Sequence, residues 1–192
     1  MPTELILLRH AEPQIRIELA PSQWGLSSDG KSQAVKLALS GVFNDVDVFI
    51  ASTEPTAFQT AALVALRHKK TVVRNPLFNE LNRDGGFYLT SSQYKAAVHA
   101  VLKDNSFQVD GWETAAGALS RFKRGIEDVL IEYDSQRVLI TTHGMVLTLF
   151  FSYILEVETN ILIPEIALVR WDELKYGSWG IVKDNKVVKD IL

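Results

Sequence analysis

Two apolar runs that each end on a histidine constrain this chain more than any other feature. Leu5-Ile6-Leu7-Leu8 passes directly into Arg9-His10, and Val138-Leu139-Ile140-Thr141-Thr142 passes into His143-Gly144. Such runs are far too short to span a membrane and long enough for buried strands. In open α/β sheets, ligands collect beyond the C-terminal ends of the strands. The pair therefore predicts two strands of one sheet that deliver His10 and His143 to a single edge.

The intervening sequence supplies the rest of such a sheet. Residues 11–26 read as a loop, broken by Pro13, Pro21 and Gly25. Ser27 or Ser28 caps a helix to about Leu39, with Ala34, Leu37 and Ala38 on one face and Gly41 ending it. Val46 to Ile50 is a second buried strand, Pro55 suits the start of a helix through Leu66, and Thr71 to Val73 is a short strand. Trp112 to Tyr133 carries a helical period, and another helix runs from about Gly144 to Leu155. Ala167 to Trp171 and Gly180 to Val182 read as edge strands and a hairpin, with Asp184-Asn185 as the turn. Strands alternating with helices give an α/β sandwich with a largely parallel sheet. Residues 1–192 are expected to form one domain with a lid-like insertion at about 75–110, the least regular stretch.

Composition narrows the chemistry. The chain contains no cysteine, which removes disulfides, thiolate metal sites and cysteine nucleophiles. The formal net charge of −3 comes with no basic stripe, so nucleic acid is not an expected partner. Neither a signal peptide nor a spanning segment is legible, and the expectation is a cytoplasmic protein with no membrane association.

His10 and His143 differ from His68 and His99, which lie in helical patterns with no companion residue. Arg9 precedes one strand-end histidine, and Gly144 follows the other, where a helix N-terminus suits an anion. Two imidazoles, an arginine and a helix N-terminus suit a phosphoryl group: one ring attacks phosphorus, and the other groups stabilise the equatorial oxygens. A metal site is the competing use of two histidines. Glu12 is available as a further ligand, but Arg9 beside it disfavours a cation.

These segments resemble the histidine phosphatase superfamily, also called phosphoglycerate mutase-like. Leu8-Arg9-His10-Ala11-Glu12 is similar to its Arg-His-Gly motif, and Leu26 to Ala34 to its Leu-Thr-x-x-Gly-x-x-Gln-Ala helix start. Ser52 through Gln59-Thr60-Ala61 resembles its Ser-x-x-x-Arg-Ala-x-Gln-Thr-Ala segment, and Thr142-His143-Gly144 its second histidine motif. The resemblance implies a three-layer α/β/α sandwich with a mostly parallel mixed sheet. It also implies a phosphomonoesterase that hydrolyses a small phosphorylated substrate through a phosphohistidine, without metal or other cofactor. Hydrolysis is preferred to mutase activity because residues 83–110 make a short, irregular insertion. By the same resemblance His10 is the nucleophile, Arg9 and His143 bind the phosphoryl group, and Glu80 is the proton donor. Glu113 loosely matches a further segment and is read as a helix cap.

The sequence departs from the family pattern at two positions. Ala11 replaces a glycine, and Thr56 stands where the family has its second phosphate-binding arginine. Threonine supplies neither a fixed cation nor a forked donor. Arg16 or Arg83 is expected to fill the gap, Arg16 being grouped with Arg9 and Gly144 as phosphate-binding. The alternative is a catalytically impaired, phosphate-ligand-binding member of the same fold. A third reading comes from Gly25 to Ser32, which satisfies the P-loop pattern, with Lys31 on phosphates and Ser32 on magnesium. Its context is poor, because no buried strand leads into Gly25.

Overall fold

The computed structural model describes residues 2–159 and 163–192. In chain order the elements are β1 (Glu4–Arg9), α1 (Ser28–Leu39), β2 (Val48–Ala51), α2 (Pro55–Arg67), β3 (Val72–Arg74), α3 (Ser91–Lys103), α4 (Ala115–Glu132), β4 (Arg137–Thr142), α5 (Gly144–Thr159), α6 (Ile163–Glu173), β5 (Trp179–Lys183) and β6 (Lys186–Lys189). The six strands form one mixed sheet in the order β3-β2-β4-β1-β5-β6. The pairs β1–β4, β2–β4 and β2–β3 are parallel, while β5 and β6 join as antiparallel neighbours.

The alternation of side chains along the strands builds a core on each face. Leu5 and Leu7 of β1 point into one cluster with Val138 and Ile140 of β4 and Phe122, Leu147 and Phe151 of the helices. Ile6 and Leu8 point the other way, into a cluster with Leu139, Ala38 of α1 and Val64 of α2. Helices thus cover both faces, giving the three-layer α/β/α sandwich. β1 and β4 are buried on both sides, which is why they read as continuous apolar runs rather than alternating ones.

The sheet register sets the position of the site. Leu8 pairs with Thr141 and Arg9 with Thr142, so the next residue of each chain is a histidine. The His10 N–H donates to Thr142 O at 2.9 Å, extending the ladder one step past the strand end.

Most local expectations are met. Ser27 caps α1 by accepting from the Gly30 N–H at 2.9 Å, and Pro55 occupies the first turn of α2. Asp184 and Asn185 both have positive φ and form the two-residue turn between β5 and β6. One expectation is overturned. Ala167 to Trp171, read as an edge strand, lies inside α6. The position beside β1 is taken by β5, and this run packs as a helix against α5 and α3. Ala167 is instead buried with α5 and α3 side chains, and Arg170 pairs with Asp190.

The segment leaving His10 is locked from several directions. The Ala11 N–H donates to Thr60 Oγ1, the Glu12 N–H to Gln33 Oε1, and the Leu26 N–H to Gln59 Oε1. Gly30 lies so close that a Cβ there would stand 2.1 Å from Glu12 O. The P-loop-like sequence is therefore a brace for the strand-end loop. Lys31 is exposed, and Ser32 Oγ donates back to Ser28 O. Gly30→Ala should destabilise the protein by about 1–3 kcal/mol through overpacking, read as a lowered urea midpoint, whereas Lys31→Ala should leave the midpoint unchanged.

Candidate active site

Beyond the C-terminal ends of β1, β2 and β4 lies an open cavity of about 1220 Å³. Arg9, His10, Glu54, Glu80, Arg83 and His143 all line it. The two histidine rings meet edge to face, with centroids 5.0 Å apart.

The tautomer of the His10 ring is set by its own backbone. Its Nδ1 lies 2.7 Å from Ala11 O. A carbonyl oxygen only accepts, so Nδ1 carries the proton and Nε2 keeps its lone pair. Burial, and then the Arg9 cation, push the ring's pKa from the ordinary 6.5 to about 3. The ring is therefore neutral across the physiological range.

His143 is fixed by the loop after β2. Its Nε2 lies 2.7 Å from Ser52 Oγ. Asn79 Oδ1 accepts from the Thr53 N–H and from the Thr53 and Ser52 hydroxyls. With the Ser52 proton committed to Asn79, Nε2–H of His143 is the donor to Ser52. Burial, followed by the adjacent His10 ring and the Arg83 and Arg9 cations, holds the His143 pKa well below the usual imidazole value.

Arg9 donates to Leu174 O at 2.6 Å and lies under the Tyr176 ring, 4.3 Å from its centroid. Its Nε is buried without a hydrogen-bond partner. Gly144 makes this placement possible: a Cβ there would sit 3.1 Å from Arg9 Cζ and 3.0 Å from Trp171 Cζ3. Glycine was expected at this point to admit a ligand. What it admits in the structure is the Arg9 guanidinium.

The helix N-terminus is not open to an anion either. Glu80 accepts from the Met145 N–H at 3.0 Å, the Val146 N–H at 3.1 Å and its neighbour Leu81 N–H at 2.9 Å. A carboxylate of the chain itself thus occupies the positive end of α5. Arg121 holds the same segment by donating to Leu77 O, Asn79 O and Glu80 O, and pairs with Glu113. Glu113 was expected to cap α4. Thr114 does so, and Glu113 instead braces Arg121 and accepts from the Asn82 N–H.

The two proposed replacements for the missing arginine separate clearly. Arg16, taken from sequence as phosphate-binding, is half exposed, pairs with Glu18 and is not among the lining residues. The reason is local: Trp24 Nε1 donates to Arg16 O and Leu19 O, which turns the loop into a compact bend on the surface. Arg83 does reach the cavity. Its guanidinium lies 4.7 Å from the Tyr94 ring and 5.3 Å from the Trp24 ring, and its charge bears on both His10 and His143. Thr56 is buried at the cavity wall, where its carbonyl accepts from Thr60 Oγ1.

Glu54 was missed entirely. It precedes Pro55 at the head of α2, a position that normally caps its own helix. Here Oε1 instead accepts from the Glu80 N–H at 2.8 Å, and Oε2 lies 3.6 Å from His143 Nε2. Burial first, and Glu80 second, raise its pKa from 4.5 to about 7. Below that pH its approach to His143 joins two neutral groups rather than an ion pair. The one signal in the sequence was an acid within the Ser52 to Ala61 segment. His68 and His99 stay outside the site: one stacks on Phe49, the other meets Asp172. Among the described residues, no group of three or more His, Asp or Glu side chains is placed to hold a metal ion. Nor is any helix long and apolar enough to cross a membrane.

Comparison with known proteins agrees with this geometry. Similar solved structures include Bacillus stearothermophilus YhfR, with a TM-score of 0.75 at 18% identity, covering 97% of this chain and 95% of that one. A mycobacterial glucosyl-3-phosphoglycerate phosphatase gives 0.74 at 17% identity, covering 93% and 90%. A mutant phosphoserine phosphatase from Entamoeba histolytica, in complex with phosphoserine, gives 0.72 at 17%, covering 97% and 94%. At such identities the likeness establishes the fold. No curated protein matches by sequence. The family model described as "Histidine phosphatase superfamily (branch 1)" matches residues 5–184. The chain is a member of the histidine phosphatase superfamily.

Proposed function

We propose that this protein is a phosphomonoesterase acting on a small phosphorylated substrate through a phosphohistidine on His10. The observation that carries this reading is the His10 ring: neutral, with Nδ1–H tied to Ala11 O and Nε2 free, beside His143 and Arg9. Nε2 attacks phosphorus while Arg9 stabilises the equatorial oxygens, and His143 joins it by turning its Nε2–H from Ser52 to a phosphoryl oxygen. A carboxylate beside the cavity protonates the leaving oxygen and then activates water against the phosphohistidine. By resemblance that residue is Glu80.

Arg83 takes the place of the arginine that Thr56 cannot supply. A forked cation stacked on Tyr94 is held in position yet keeps donors for phosphate. The irregular stretch from 75 to 110 carries Arg83 and then Phe87 and Tyr88, both exposed at the cavity wall, and acts as a lid over bound substrate. Phosphatase neighbours, one of them in complex with phosphoserine, are consistent with a small phosphate ester.

Thr56 favours one other reading, a member that binds phosphate ligands without turning them over. Thr56→Arg separates the two. With Arg83 in place the substitution should raise turnover less than threefold; a gain of tenfold or more would mean the parent is impaired.

Incubation with 4-nitrophenyl phosphate in the presence of EDTA should release phosphate, and His10→Ala should abolish that release. Arg83→Met should lower kcat/KM about 10- to 100-fold, the equivalent of about 1.5–3 kcal/mol for a hydrogen bond to a charged group. Arg16→Met should leave it unchanged, and an equal loss in both variants would reject the assignment to Arg83. In the free protein, imidazole nitrogen shifts should show the His10 ring neutral down to pH 5. Protonation near pH 6.5 would contradict a buried neutral nucleophile.

A further inference from the structure

The cavity is much larger than the phosphoryl site at its buried end. Its volume of about 1220 Å³ exceeds the roughly 300–1,000 Å³ of an ordinary small-molecule pocket. The two histidines, Arg9 and Arg83 serve the phosphoryl group, so the remaining volume belongs to whatever the phosphate is attached to. Two segments supply apolar wall to that volume. Ile15 and Ile17 come from the loop after β1, and Phe87 and Tyr88 from the connection between β3 and α3. All four are exposed, and Phe87, at 86%, is the most exposed large apolar residue among the described ones. The two segments are tied to each other. The Ser22 N–H and Oγ both donate to Asp84, and the Arg83 guanidinium lies over the Trp24 ring.

The charges on the wall select against a second anion. Three arginines and five carboxylates line the cavity. Arg9 and Arg83 are the two arginines assigned to the phosphoryl group. Arg121, the third, donates to three backbone carbonyls and pairs with Glu113. In the segments that carry the four apolar side chains, the lining acids are Glu18, paired with Arg16, and Asp84, held by Ser22. Asn82 Oδ1 is engaged by the Asp84 N–H. A carboxylate or a second phosphate on the substrate would therefore find no uncommitted cation in this part of the wall among the described residues, and it would face acids instead.

From this wall we infer that the substrate is a phosphate monoester of an uncharged apolar or aromatic alcohol. Its arm is covered by Ile15, Ile17, Phe87 and Tyr88, and esters that carry a second anion are discriminated against. This rests on the phosphomonoesterase reading above. Exposed apolar side chains on an open cavity remain in contact with water. Closing them on an apolar arm removes that area from water, and the gain grows with the length of the arm. An aromatic arm adds ring packing against Phe87 and Tyr88. The phosphate supplies the anchoring charge at the histidines, while the arm is recognised by the area it buries. Recognition by area selects a class of esters rather than a single molecule.

Unbranched alkyl phosphates from propyl to hexyl test this, because their leaving groups are nearly equal in acidity and differ mainly in apolar length. In the wild type, kcat/KM should rise about two- to fourfold per methylene. 5-Carboxypentyl phosphate, which places an anion at the end of an arm of the same carbon count as hexyl, should give a kcat/KM at least tenfold below that of hexyl phosphate. Phe87→Ala and Ile17→Ala replace exposed side chains, so the fold is kept. Each should lower the hexyl-to-propyl ratio of kcat/KM at least threefold. Calorimetry of the wild type with alkylphosphonates, whose carbon–phosphorus bond is not hydrolysed, reads the same preference without turnover. Hexylphosphonate should bind at least fivefold more tightly than propylphosphonate, with a more negative heat-capacity change. A flat chain-length series in both measurements, or a preference for the carboxylated ester, would overturn the apolar arm and leave phosphohistidine formation on His10 untouched. Length-dependent phosphonate binding with no phosphohistidine formed from any ester would support the arm and remove the catalytic reading.

Discussion

The parallel pairing of β1 with β4 is the constraint on which the site depends. Side chains alternate along both strands, so a one-residue slip would turn Leu5 and Leu7 out of one core and Ile6 and Leu8 out of the other. Both faces are apolar, so the fit of each side chain to its own core, together with the polar residues at the strand ends, fixes the register. That register places Arg9 opposite Thr142 and hence His10 beside His143. The hydrophobic core thus sets the spacing of the two histidines, and no contact between the two rings is required to bring them together.

Around this fixed pair, the loops are held by hydrogen bonds to their own backbone. Gln59, Gln33 and Thr60 each accept from an N–H of the segments around the first histidine. Arg121 gathers three carbonyls of the segment from Leu77 to Glu80. Glu80 caps α5, and Glu54 accepts from the Glu80 N–H. The result is a site in which Arg121 is paired with Glu113, while Arg9 and Arg83 are stacked on aromatic rings and neither is paired with a carboxylate among the described residues. Unpaired, partly desolvated cations next to neutral imidazoles favour a dianionic guest. Burial first, and then these cations, make both histidine rings resist protonation.

Much of this was legible in the chain. The two strand-end histidines, the Ser27 cap, the Pro55 helix start and the Asp184-Asn185 turn are local features with local causes, and each appears where the sequence put it. The failures share a different character. Ala167 to Trp171 has a composition that suits either a strand or a helix, and only its packing against α5 and α3 decides for the helix. The N-terminus of α5 looks like an anion site until Glu80, more than sixty residues earlier, is found on it. Arg16 and Arg83 are equal candidates as letters; a tryptophan anchored to its own loop turns one outward, while an aromatic stack holds the other inward.

The sequence by itself determined that two apolar strands deliver histidines to one sheet edge, with Arg9 beside the first, because buried strands and strand ends are written in short contiguous runs. The tertiary structure alone decided which of Arg16 and Arg83 lines the cavity and which carboxylate is held by three backbone donors. Those choices depend on groups far apart in the chain competing for the same N–H donors and the same cavity. Glu54 and Glu80 are the same side chain in composition, and only the folded backbone separates them, by giving three donors to one and a single donor to the other.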